Sequence, residues 1–146
     1  MNNSLSHKMH SFIMDNSLKI IFLDNHELKS SKFIKSEQLR NEPIIMFKQE
    51  ASPFIYDVLI KYLRTNGLYN NIVSYENDLQ SMILKVEAGK GITFTTELSL
   101  GSFTKNINLV DFDYDRANVK TDLVLAWRKD CENPSLSLFL DDIVYA

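Results

Sequence analysis

Apolar and polar positions along this chain fall into short blocks that switch between two periods. Leu18-Lys19-Ile20-Ile21-Phe22-Leu23 is a near-continuous apolar run closed by Asp24-Asn25-His26. That pattern predicts a strand covered on both faces, as in a parallel sheet. A polar stretch follows to Lys35, after which Ser36 can cap one short turn over Glu37 to Arg40, and Pro43-Ile44-Ile45-Met46-Phe47 reads as a second strand. Ser52 then offers an N-cap, and Pro53 takes the first helical position, where its missing N–H costs nothing. Phe54, Val58 and Tyr62, with Ile55, Leu59 and Leu63, build a broad apolar helical face that Gly67 terminates.

The grammar continues downstream. Ile72 and Val73 open a short third strand that runs to Tyr75. Asn77-Asp78-Leu79-Gln80 reads as a capping box in which Gln80 reaches back to the cap residue. Leu79, Met82, Ile83 and Val86 recur at helical spacing behind it, and Gly89 closes the helix. Further strands are expected at Gly91 to Thr95, Asn106 to Phe112 and Asp122 to Trp127. Asn133-Pro134 opens a last helix with Leu136, Phe139, Leu140 and Ile143 on one face. Strands alternating with helices through short loops predict an α/β fold with a mainly parallel sheet flanked by helices.

Composition narrows the function classes. The 146 residues are 45% hydrophobic and 24% charged, ordinary values for a globular domain, and the net charge is −3. Phosphate neutralisation requires clustered Lys and Arg, so this balance argues against direct nucleic-acid binding. No stretch approaches the roughly 18 apolar residues that span a bilayer, and the opening MNNSLSHKMHSFIMDN has no signal-peptide core. Cys131 is the single cysteine, which excludes an internal disulfide and suits a reducing cytoplasm.

Catalytic and metal chemistries find little footing. Ala88-Gly89-Lys90-Gly91 lacks the spacing of a phosphate loop, and its glycines lie between helix and strand rather than strand and helix. His7 and His10 stand three apart but have no third ligand nearby. Cys131 sits between Asp130 and Glu132, which disfavour its thiolate. Asp111, Asp113 and Asp115 alternate as in a charged strand edge, without the glycine and distal glutamate of a calcium loop. No nucleophile elbow or zinc-protease motif occurs, so an enzyme is not expected. No metal and no cofactor is expected either.

Three stretches carry a resemblance to a known family. They are Glu42-Pro43-Ile44-Ile45-Met46-Phe47 followed by Ser52-Pro53 and Tyr56-Asp57; Val86-Glu87-Ala88-Gly89-Lys90-Gly91-Ile92; and Leu123-Val124-Leu125-Ala126-Trp127-Arg128-Lys129-Asp130 with Asn133-Pro134 and Phe139-Leu140. In order and spacing they resemble the second half of the effector-binding domain of LysR-type transcriptional regulators. Asn25-His26-Glu27-Leu28 is similar to the family's His-Pro-Leu, with Glu27 in place of proline, and Thr95-Thr96 stands where the family often has a proline. The resemblance implies a periplasmic-binding-protein-like subdomain. It divides the chain into a flexible N-terminal segment (1–17), subdomain II (18–118) and a C-terminal strand and helix that return to subdomain I (119–146). The family's winged helix-turn-helix, linker helix and subdomain I have no counterpart among these residues, so DNA would be contacted only through a helix-turn-helix that this sequence lacks.

Two functions follow as expectations. The first is a non-catalytic sensor that binds a small-molecule effector, a carboxylate or an amino acid, and thereby modulates transcription. A helix N-terminus presents free N–H groups to an anion, and ligands of open parallel sheets sit beyond the carboxyl ends of the strands. The expected effector contacts are therefore Gln49 and Ser52 in the loop and cap, Phe54 against the ligand's apolar body, and Thr95 and Thr96 as hydroxyls. Glu50 beside this loop disfavours an acidic effector. The second is a truncated non-sensing module acting through self-association, because Leu123, Val124, Leu125, Trp127, Phe139 and Ile143 need cover that a second copy can supply. A homodimer is expected on either reading.

Overall fold

The computed structural model describes residues 8–14, 16–100, 106–119, 123–128 and 135, with side chains for 16–100, 106–119 and 135. Contacts divide the chain into two units. One runs from Ser17 to Lys120, and the other contains the two remaining strands.

The larger unit is built on β2 (Leu18–Leu23), β3 (Phe33–Ile34), β4 (Ile44–Phe47), α1 (Pro53–Thr65), β5 (Ile72–Glu76), α2 (Leu79–Glu87), β6 (Thr93–Thr96), the one-turn helix α3 (Glu97–Leu100) and β7 (Ile107–Phe112). Hydrogen bonding orders four strands as β3-β7-β2-β6 and pairs β4 with β5. A parallel bridge between Ile44 and Ile92 joins the two sets, carried by Ile45 N–H to Ile92 O at 2.8 Å and Ile92 N–H to Pro43 O at 2.9 Å. The sheet order is thus β5-β4-β6-β2-β7-β3. β4, β5, β6, β7 and β3 all run one way, while β2 runs antiparallel to β6 and β7. The mainly parallel sheet expected from the sequence is present, with β2 as its reversed member. Its apolar run reflects burial on both faces, since Leu18, Ile20, Ile21 and Phe22 are all fully buried.

α1 connects β4 to β5 in one direction across the sheet, and α2 carries the chain back past β4 to β6. Right-handed crossovers in opposite directions place the two helices on opposite faces. Tyr62 of α1 packs edge-on against Phe94 of β6 and Phe112 of β7, with ring centroids 6.4 and 5.1 Å away. Met82, Ile83 and Val86 bury the apolar stripe of α2. Both helices end in the hydrogen-bond pattern of a left-handed cap, with Gly67 and Gly89 at positive φ. Gly91 has a different reason: a Cβ there would meet Pro43 O at 2.5 Å, where β4 and β6 come together.

Several boundaries differ from the sequence reading: the short turn spans Ser36–Leu39 with Lys35 rather than Ser36 before it, and β6 and the Leu123–Arg128 strand are shifted by one or two residues. α2 is capped by Asp78, whose carboxylate accepts from Ser81 N–H at 2.7 Å, rather than by Asn77 with Gln80. Both residues are good caps, and the choice falls to the one whose side chain reaches a free N–H. Residues 8–14, within the stretch expected to be a flexible terminus, form β1 (Lys8–Met14). It pairs antiparallel with β8 (Leu123–Arg128) in the second unit, with a bulge between Phe12 and Met14. Of the expected final helix only Ser135 is described, as helical and exposed, and Cys131 lies outside the described residues.

Candidate functional site

At the carboxyl edge of the sheet, the chain leaves β4 toward β5 on one side and β6 toward β7 on the other. The crevice between β4 and β6 is therefore a topological switch point, where strand ends part and leave room for a ligand. A pocket of about 190 Å³ lies there. Phe47, Ala51, Ile55, Leu79 and Met82 form its apolar wall, and Ser52, Asp78, Thr95, Thr96 and Ser99 supply its polar groups.

Local structure explains how each polar group arrives. After β4, a 3-10 turn over Gln49–Ala51 delivers Ser52 in an extended conformation at the start of α1. The carbonyl of Ser52 accepts from Tyr56 N–H at 2.9 Å, but its hydroxyl makes no capping bond. Pro53 has no N–H, so the first free donors of α1 are the N–H groups of Phe54 and Ile55, which have no backbone or cap partner. Asp78 enters from α2, which begins where β5 ends on the same edge. The Ser81 backbone N–H, and secondarily its hydroxyl, hold the Asp78 carboxyl below its ordinary range, so the group stays ionised at neutral pH. Thr96 and Ser99 bond each other at 2.6 Å, and Ser99 N–H donates to Thr96 Oγ1 at 3.3 Å, capping α3. Thr95 adds a partly exposed hydroxyl at the end of β6.

Of the residues expected from the sequence, Ser52, Thr95 and Thr96 meet in this pocket. Thr96 is buried and committed to its cap, which leaves Ser52 and Thr95 as the two hydroxyls open to a ligand. Gln49 is exposed on the 3-10 turn and does not line the pocket. Phe54 is 57% exposed and lies outside both pocket and core. Residues three apart share a helix face, so Ile55 rather than Phe54 follows Ser52 into the concavity. Asp78, Leu79 and Met82 were missed. The signal for them was the start of α2 directly after a strand, on the same edge as the start of α1.

The other candidates whose side chains are described take structural roles, while His7, Cys131 and the His10 side chain lie outside the described residues. Asp111 pairs with Lys19 at 2.7 Å, Asp113 accepts from Tyr62 Oη at 2.5 Å and Ser36 N–H at 3.1 Å, and Asp115 accepts from Asn118. His26 Nε2 lies 2.9 Å from Glu42, and its Nδ1 accepts from Leu28 N–H at 3.0 Å. Among the described residues no group of three His, Cys, Asp or Glu is placed to hold a metal ion.

Comparison with known proteins agrees with this architecture. The family model for the LysR substrate binding domain matches residues 10–144. The HTH-type transcriptional regulator AlsR of Bacillus subtilis (strain 168) is 34% identical over 115 residues, which is 79% of this chain and 37% of that protein. The BenM effector binding domain, solved with its effector benzoate, superposes with a TM-score of 0.69 at 16% identity, covering 95% of this chain and 63% of that one. The effector binding domain of QuiR in complex with shikimate gives a TM-score of 0.62 at 17% identity, covering 99% and 68%. This chain thus spans little more than a third of the length of its curated relative.

Proposed function

The chain belongs to the LysR substrate-binding domain family, a family of transcriptional regulators, and we propose that it is the effector-sensing part of such a regulator. The observation that carries this reading is the pocket at the β4–β6 switch point, where Ser52 and Thr95 bring free hydroxyls to an apolar wall. Its volume of about 190 Å³ is below that of drug-sized sites, which suits a compact metabolite such as a small carboxylate or amino acid. In this proposal the unit from Ser17 to Lys120 is the family's subdomain II and supplies one wall of the effector cleft. Effector binding biases the regulator between two arrangements, and DNA is reached through a helix-turn-helix outside this sequence. The proposed setting is the cytoplasm, and the proposed assembly is a homodimer. Among the described residues no helix is long and apolar enough to cross a membrane.

The test is a thermal-shift screen of the purified chain against small carboxylates, amino acids and aromatic acids, with its mass in solution measured alongside. A saturable rise in Tm is expected with at least one compound, reduced at least about tenfold in affinity by Ser52→Ala or Thr95→Val, the scale of one buried hydrogen bond. A screen without any shift, from a chain that is folded, would sink the sensing role. A dimeric mass in that case would favour the reading as a self-associating module.

A further inference from the structure

We propose that the pocket selects effectors bearing a protonated amino group, with Asp78 as the residue that decides their charge class. This rests on the reading of the pocket as the effector site and goes beyond it. None of the pocket's lining residues is Lys, Arg or His, and Asp78 is the single formally charged side chain among them. Lys48, the nearest basic residue along the chain, is exposed and does not line the pocket. Glu50 on the adjoining 3-10 turn and Glu97 at the start of α3 add two exposed carboxylates on the same edge.

One oxygen of Asp78 is engaged by Ser81 N–H at 2.7 Å, and no Lys, Arg or His among the described residues forms an ion pair with the carboxylate. The Ser81 hydroxyl holds the same carboxylate, which is exposed, and Asp78 lines the pocket. A bare carboxylate entering here would meet a fixed negative charge with no cation to offset it. An ammonium group gains a charge-assisted bond at Asp78 and lays its apolar body on Ile55, Leu79 and Met82. Where the ligand also carries a carboxylate, the hydroxyl of Ser52 and the free N–H groups of α1 can receive it.

The experiment uses three molecules that share one branched carbon skeleton: leucine, its decarboxylated form 3-methylbutylamine, and its deaminated form 4-methylpentanoate. Binding to the whole chain is measured by calorimetry. Leucine and 3-methylbutylamine are expected to bind, and 4-methylpentanoate roughly two- to fivefold more weakly. Asp78→Asn keeps a side-chain oxygen to cap α2 while removing the charge, and Asp78→Ser offers a second capping variant. Both should keep the wild-type circular dichroism and weaken the two ammonium compounds roughly two- to fivefold, the scale of an ion pair at an exposed carboxylate, without weakening 4-methylpentanoate. Equal or tighter binding of 4-methylpentanoate, or unchanged affinities in Asp78→Asn, overturns the charge selection and leaves the pocket standing as an effector site. Silence from all three probes also overturns it. The sensing role then stands or falls with the wider panel and its Ser52→Ala control.

Discussion

Tyr62 shows how one side chain can couple a helix to the end of a sheet. Its ring joins Phe94 and Phe112 in the core, and its hydroxyl donates to Asp113 at 2.5 Å. Burial first, and the Asp113 carboxylate second, push the phenol far above its ordinary pKa. The folded chain therefore keeps this proton when the unfolded chain has released it, so stability is present below about pH 10 and declines as pH rises above it. Tyr75, pushed up to about 12 by burial and then by Tyr69, acts with the same sign. Tyr62→Phe should cost about 1–2 kcal/mol near neutral pH. It should also flatten the loss of stability between pH 9 and 11, as read from urea midpoints; an unchanged slope would remove Tyr62 as the cause. Asp113 itself could not be read from sequence, because an alternating Asp-Phe-Asp-Tyr-Asp run looks like a solvated edge until its partners, 51 and 77 residues away, are known. Ser52 and Thr95 were legible for the opposite reason: β4 ahead of Ser52, and β6, in which Thr95 lies, fix which edge of the sheet each one reaches.

Elements were legible where their signals were local. β2, β4, α1 and β7 each carry an apolar pattern with its stops nearby, and Gly91 lies where β6 must approach Pro43 too closely for a Cβ. β1 carried no such signal. Its residues, Lys-Met-His-Ser-Phe-Ile-Met, show neither clean alternation nor a turn, and the strand it pairs with lies more than 100 residues downstream. The reversed direction of β2 was hidden too, since a strand buried on both faces reads the same whichever way it runs. The aromatic layer between α1 and the sheet is where packing is most exposed to test. Phe94 is fully buried, 5.1 Å from the Phe112 ring, which in turn stacks 4.8 Å from Tyr114. Phe94→Ala should cost about 3–5 kcal/mol. That is a large share of the roughly 5–15 kcal/mol that holds a domain together. A loss under about 1 kcal/mol in chemical denaturation would mean that the layer closes over the gap and is not the anchor of α1.

At the scale of the whole molecule, the pocket and the core belong to one unit. Every residue lining the pocket falls between Phe47 and Ser99, and among the described residues the buried hydrophobic ones run from Leu18 to Tyr114, all inside Ser17–Lys120. A segment of about 100 residues with its own six-stranded sheet and a helix on each face meets the ordinary requirements of an independent domain. The described part of the other unit is the antiparallel β1–β8 pair, and an isolated pair of strands is only marginally stable in water. A chain restricted to residues 17–120 should therefore unfold in a single cooperative transition and keep any ligand-dependent Tm rise that the full chain shows. Circular dichroism melts with and without ligand decide the matter. A restricted chain that is unfolded would place part of the core's support in β1 and β8. One that is folded but indifferent to ligand would mean that the effector also needs residues outside Ser17–Lys120. Retention of both properties would make this unit the sensing element in its own right, leaving β1 and β8 to the work of connection.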